Sequence, residues 1–270
     1  MQTIQRKSSL PNLTANLPWD RIIPWAVPVG LILLWQILAQ VGMINSRILP
    51  APTDVVRAAL RLTLSGELFK HVAISTWRAG AGFLIGGGIG LFFGVLNGVS
   101  RPAELLADSS IQMIRNIPHL AMIPLVILWF GIGDEARIFL VALGVLFPIY
   151  VNTFYGIRAI DPGLIEMGRV YGLGHRELFA QVILPGALPS ILVGLRYAFG
   201  NMWLTLIVAE TIAAGSGIGY MAMNAREFMQ TDVVILSILL YALLGKLADS
   251  SVRWLEKVTI AWHPSQNLKQ

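Results

Sequence analysis

Two scarcities frame the chain. Its 270 residues include no cysteine, which excludes disulfides, thiolate metal sites and a cysteine nucleophile. Only 13% of residues are charged and 55% are apolar, against about 25% charged in ordinary soluble domains. Mean hydropathy is +0.67, and several apolar runs approach the roughly 20 residues that cross a bilayer core. Alternating ten-residue segments are missing, which argues against an outer-membrane barrel. The cluster Gly86-Gly87-Gly88 lacks the Lys-Ser/Thr of a phosphate loop and sits inside an apolar run, so no nucleotide site is found. No H-E-x-x-H or G-x-S-x-G occurs, and His71, His119, His175 and His263 are dispersed, so an intramembrane enzyme or metal centre has no support. The net charge of +5 marks cytoplasmic loops in a membrane protein rather than affinity for nucleic acid.

What is present reads as an all-α polytopic membrane protein with six spans. The first runs from Pro24 to Val41; Arg6, Lys7 and Arg21 precede it as in a signal peptide, but no A-x-A-like site follows, so it is a retained helix. Residues 43–71 form a polar loop in which Thr53 to Leu64 predicts a short surface helix with a Thr/Asp cap. Thr76 to Val99 is the second span, and along it Gly82, Gly86, Gly90, Gly94 and Gly98 recur every four residues. That spacing puts the glycines on one helix face and lets another backbone approach closely. Residues 1–75 thus form a tail, first helix and outer loop, 76–260 a five-span core, and 261–270 a polar tail.

The third run, Ile117 to Phe130, is short: at ~1.5 Å per residue it covers ~21 Å of a ~30 Å core. To span, it must reach back through Arg115 and Asn116 with a break near Pro118. Short, proline-interrupted spans point to a transport pathway, which makes Arg115, Asn116 and His119 candidate pathway groups. The fourth span is Ile138 to Tyr155. The fifth, Ala187 to Thr211, carries Arg196, a further pathway candidate, and Glu210 near its outer end. Glu210 would repel an anion, so a structural or gating role is expected, with Arg226 or Arg137 as partner. A glycine-rich return loop, 213–231, precedes the last span, Val233 to Leu247, which extends amphipathically to Ile260. With both termini cytoplasmic, Arg101, Arg158, Arg169, Arg176, Lys246 and Arg253 fall inside, and the main outer exceptions lie before the second span.

Between the fourth and fifth spans lies DPGLIEMGRVYGLGHRELFAQVILP, Asp161 to Pro185, too polar for lipid and too patterned for an idle loop. Leu164, Met167, Gly168 and Tyr171 follow helical spacing, Gly172 and Gly174 interrupt it, and a second amphipathic run ends at Leu184-Pro185. The pattern predicts two short helices hinged at Gly172, gripped by something outside the membrane.

This stretch resembles the coupling loop of binding-protein-dependent (type I) ABC importer permeases. Their pattern is Glu-Ala-Ala, three residues, Gly, nine residues, Ile-x-Leu-Pro. Glu166, Met167 and Gly168 stand for the first triplet, Gly172 falls in register, and Val182, Leu184 and Pro185 close the pattern. Met167, Gly168 and Val182 depart from it by small or apolar exchanges. Segments such as SIQMIRNIPHLAMIPLVILWFGIG and LTLIVAETIAAGSGIGYMAMNAREFMQTDVV are similar to aliphatic sulfonate permeases, of which nitrate, taurine and bicarbonate permeases are close relatives. The resemblance implies a subunit of the bacterial inner membrane, paired with a second copy of itself. It also implies two separate ATPase subunits carrying ATP and magnesium, and a periplasmic or lipid-anchored binding protein that delivers the cargo. The chain itself is then neither an enzyme nor a cofactor holder. A secondary transporter would instead show inverted repeats, and none is evident.

Overall fold

The computed structural model describes residues 19–260. The polar tail 261–270 and the basic residues Arg6, Lys7 and Lys269 lie outside them. All regular structure among the described residues is helical. Four helices are long and apolar enough to cross a membrane: α3 (Glu67–Val99), α6 (Asp134–Arg158), α9 (Leu184–Ala213) with its N-terminal extension, and α11 (Thr231–Thr259). A fifth crossing requires α4 (Arg101–Arg115) and the segment His119–Phe130, which ends in α5 (Ile123–Phe130), to count as one span despite a bend of 78°. Helix α1 (Trp19–Gln40) adds a shorter apolar stretch, Trp25–Gln40, among the described residues. Four to five candidate crossings are therefore shown among the described residues; the six expected are not all shown.

Helices α3 and α6 form the tightest pair, and the glycine stripe explains it. A Cβ at Gly82 would lie 2.6 Å from Val141 Cγ1, one at Gly94 2.7 Å from Thr153 Cβ, and one at Gly98 2.9 Å from Ile157 Cβ. At Gly86 and Gly90 it would meet the backbone carbonyls of Ala142 and Leu146. Close approach of two backbones gains dispersion contacts in lipid, where burial of apolar groups drives nothing. Helix α9 packs on the other side of α6, with Gly156 against Ser190 and Gly194 against Asn152. Helix α2 (Pro52–Leu64) tucks Val55 and Ala58 into the same core as Ala79, Val145 and Leu206. Its cap differs from expectation: Ala51 is the N-cap with no side-chain bond, while Asp54 pairs with Arg57 at 2.9 Å. Helix α1 is peripheral, tied to α2 through Gln36 and Thr53, with most of its apolar side chains exposed.

Two polar stretches between spans are helices. The segment after span two forms the strongly amphipathic α4, started by Ser100, whose Oγ accepts from Ala103 N at 3.4 Å. Its polar face is latched to the bundle. The Tyr150 hydroxyl donates to Asp108 at 2.5 Å and accepts from Asn97 Nδ2 at 2.9 Å, and Arg158 pairs with Glu104. Leu105, Leu106 and Met113 remain exposed. The glycine-rich return contains α10 (Ile218–Glu227), which buries Ile218, Met221 and Ala225 against α9 and α11.

Candidate functional site

Three groups of polar residues stand out, one at each end of the bundle and one at the break before α5. The first is the stretch following α6. Asp161 Oδ1 caps α7 (Pro162–Val170) by accepting from Gly163 N at 2.8 Å. The chain then turns at Gly172, whose φ of +81° is the left-handed conformation that favours glycine. Glu177 reaches back to Gly174 N at 2.9 Å and starts α8 (His175–Leu178). Gly168 is buried because Leu178 packs on it: a Cβ there would stand 2.6 Å from Leu178 Cδ1. Leu164, Met167, Val170 and Tyr171 are left exposed, the last two by 85% and 80%, and Glu166 is exposed beside them. One expectation is corrected here. The second helix does not stop at Leu184-Pro185; a π-helical turn, Phe179–Ile183, runs straight into α9, giving one helix from His175 to Ile212. Pro185 has no N–H to donate to the ladder, and the bond is missing where the helix is already widened by the π-helical turn, Leu184 N bonding to Phe179 O five residues back.

The second group surrounds the break between α4 and α5. Asn116 ends α4, Pro118 prevents its continuation, and a 3-10 turn, His119–Met122, redirects the chain. A cavity of about 330 Å3 opens there, lined by Arg115 and His119 together with Gly144, Phe147, Asn152 and Asn201 among others. Pro148 inside α6 cannot donate to Gly144 O, and Asn201 Nδ2 supplies the missing bond at 3.3 Å. Asn152 Nδ2 in turn donates to Pro148 O at 2.8 Å, and His119 Nε2 lies 3.0 Å from Thr205 Oγ1. Of the candidates read from sequence, Arg115 and His119 come together. Asn116 is an exposed C-cap outside the lining. Asn152 and Asn201 escaped the sequence reading; an unpaired carbonyl four residues before Pro148 was the signal that could have located Asn201.

Arg196 is elsewhere. It reaches Glu256 at 2.7 Å and Asp249 at 3.6 Å on α11. The helix carrying it has 38 residues, ~57 Å, about twice the ~30 Å core. If its last ~20 residues span, Arg196 stands within a turn of the interface, where carboxylate partners are readily accommodated.

The third group is a buried ionic knot. Glu210 and Arg78 are 1% and 2% exposed and pair at 2.8 Å. The direct ion-pair partner of Glu210 is thus Arg78 of α3 and not Arg226; Arg137, which meets Asp134 at 3.2 Å, also feels the Glu210 charge. Glu210 also accepts from Ser75 Oγ, from Gly219 N at 2.9 Å and from the Tyr241 hydroxyl at 3.1 Å. Arg78 completes its fork on Asp134 Oδ1 at 2.7 Å, Ser216 O at 2.7 Å and Ser216 Oγ at 2.8 Å. Gly217, at φ +107°, lies so close that any side chain would run into the Glu210 carboxylate, and its N–H donates to His71 Nδ1 at 3.1 Å. The Gly215-Gly217 turn, part of the expected glycine-rich return loop, is pinned by Arg78 on Ser216 and by His71 on Gly217 N. Charges buried in this way are matched by hydrogen bonds on nearly every side, as a low-dielectric site requires.

Among the described residues no group of three or more histidines and acids is placed to hold a metal ion. Residues 86–260 match the family of the binding-protein-dependent transport system inner membrane component. The chain is 62% identical to the aliphatic sulfonates transport permease SsuC of Escherichia coli, covering 93% of this chain and 95% of that one. It is 47% identical to the Bacillus subtilis protein of the same name, over 98% and 99%. The taurine transport system permease TauC of Escherichia coli is 32% identical over 86% of each chain. The fold is also that of a solved amino acid ABC transporter, with a TM-score of 0.59 at 19% identity over 74% of this chain and 97% of the other.

Proposed function

Because the chain belongs to the family of binding-protein-dependent transport system inner membrane components, we propose that it is the permease subunit of an ATP-driven importer and forms the pathway for aliphatic sulfonates. The observation that carries this reading is the 62% identity, along 93% of the chain, with a relative named for that cargo. In this reading two copies pair in the inner membrane with their N- and C-termini cytoplasmic. Each contributes six spans, with α1 and the bent α4–α5 pair completing the set. Two ATPase subunits hold the ATP and magnesium. A periplasmic or lipid-anchored protein selects the anion.

The α7–α8 projection is the handle for the ATPase. Its exposed Leu164, Met167, Val170 and Tyr171 suit an apolar groove, the way amphipathic helices commonly dock. Glu166 sits among them as the charged contact. Gly168, buried under Leu178, and Gly172, in its left-handed turn, hold the two helices in register. Val182, Leu184 and Pro185 join the handle to α9. Arg115 and His119 stand on the pathway, and Glu210 is structural. Reconstitution tests the reading: proteoliposomes holding this permease with its ATPase and binding protein should import ethanesulfonate only with ATP and with all three parts. Uptake by this chain alone would overturn it, and competition by taurine, nitrate or bicarbonate would reassign the cargo.

A further inference from the structure

The cavity at the α4–α5 break has properties that a bare passage would not need. Its only charged lining residue is Arg115. No aspartate or glutamate faces into it, and Arg115 makes no ion pair among the described residues. Arg115 is exposed at the mouth of the cavity, so its guanidinium is free to meet an anion arriving from solvent. Guanidinium also matches tetrahedral oxyanions with two parallel N–H bonds. The same lining includes Asn152, Asn201 and the exposed Tyr197. Each amide uses one N–H on a backbone carbonyl, Pro148 O or Gly144 O, which fixes its plane and leaves a second N–H to donate.

The remaining wall, Leu143, Phe147 and Val151, is apolar. The volume of about 330 Å3 falls at the lower end of small-ligand sites, about 300–1,000 Å3. The site is also rigidly built. A Cβ at Gly144 would lie 2.7 Å from Thr205 Oγ1 and 3.3 Å from His119 Nε2, so glycine there is what lets the His119–Thr205 pair close the floor.

We propose that this cavity is a receiving site for the cargo itself, holding the sulfonate group of a short alkanesulfonate on Arg115 with its alkyl chain along Leu143, Phe147 and Val151. The proposal rests on the import reading above and adds a second point of selection, inside the membrane subunit. With one cation at an exposed mouth, binding is weak enough to release the anion onward.

The test uses the assembled permease–ATPase complex in lipid nanodiscs, without the binding protein, and isotopically labelled ethanesulfonate. Saturable binding is expected. Arg115→Gln should weaken it about 10–100-fold, as expected for losing a charge-assisted pair, and Arg115→Lys should restore part of it. Val151→Trp, which fills the apolar wall, should abolish binding with Arg115 in place. Complex yield and the size-exclusion profile confirm assembly for each variant. Ethylammonium should not compete, whereas butanesulfonate should. Binding undiminished in Arg115→Gln, or absent in the wild type while binding-protein-dependent ethanesulfonate uptake is intact, overturns the site alone. Absence of ethanesulfonate uptake by the wild-type system overturns the cargo reading and the site with it.

Discussion

Arg78 and Glu210 are 132 residues apart in the chain and 2.8 Å apart in the structure. Their pairing closes α3 onto α9 at the end of the bundle opposite the α7–α8 projection, and Ser75, Gly219 and Tyr241 complete the carboxylate's shell. Removing one partner of such a buried pair leaves an uncompensated charge and costs about 3–5 kcal/mol. Glu210→Gln and Arg78→Gln should each lower the thermal unfolding midpoint and the yield of the detergent-solubilised protein. The double variant should be less destabilised than the sum of the singles. Strict additivity would mean that the two side chains do not act as a pair.

The glycine stripe makes a position-by-position prediction. At Gly86 a Cβ would collide with the backbone of Ala142, whereas at Gly88 nothing lies within 4 Å. Gly86→Ala should destabilise the fold by about 1–3 kcal/mol through overpacking, and Gly88→Ala should be neutral or mildly stabilising. Membrane yield and thermal unfolding of the two variants, compared side by side, decide it. Equal tolerance would remove the stripe as the reason for the α3–α6 contact.

Gly172 carries the turn of the projection at φ +81°. A β-branched residue there is strained by about 1–3 kcal/mol, and nothing crowds its Cβ, so the effect is confined to backbone geometry. Gly172→Val should insert normally but co-purify less ATPase and transport less. Wild-type transport in this variant would refute the hinge. Glu166→Lys should also loosen the ATPase, since Glu166 is exposed and has no structural bond to lose.

Arg196 should prove a tie between helices and not part of the pathway. Its side chain is 41% exposed and meets Glu256 and Asp249, and pairs with that much solvent access contribute about 0–1 kcal/mol. Arg196→Ala should therefore leave the concentration dependence of sulfonate uptake unchanged, with a small loss in melting temperature. A marked loss of uptake with the complex intact would return Arg196 to the pathway.

The spans were readable where a single property, apolar length, dominates, as from Ile138 to Tyr155 or Ala187 to Thr211. The break near Pro118 and the turn at Gly172 were readable because proline and glycine have few conformational alternatives. Helix α4 was not, since its polar face looks like a loop until Leu105, Leu106 and Met113 are seen to share the opposite face. Nor was α10, whose start depends on Gly217 and Gly219 fitting against Glu210. Pairings such as Arg78 with Glu210, or Arg196 with Glu256, depend on which helices become neighbours, and neither periodicity nor composition carries that information. The cavity was half legible: Arg115 and His119 flank a proline, but Asn152 and Asn201 become meaningful only when α6 and α9 are side by side.

The continuous helix from His175 to Ile212, π-helical over Phe179–Ile183, has a mechanical meaning. At 38 residues it is a rod of ~57 Å, with Gly172 as a swivel just before one end and Glu210 fastened near the other. A rocking of about 5° at the swivel displaces the far end by about 5 Å, roughly one helical turn. A push on the α7–α8 projection is thus carried along α9 toward the Ser216 turn, less what the π-helical turn at Phe179–Ile183 and Pro189 take up by bending.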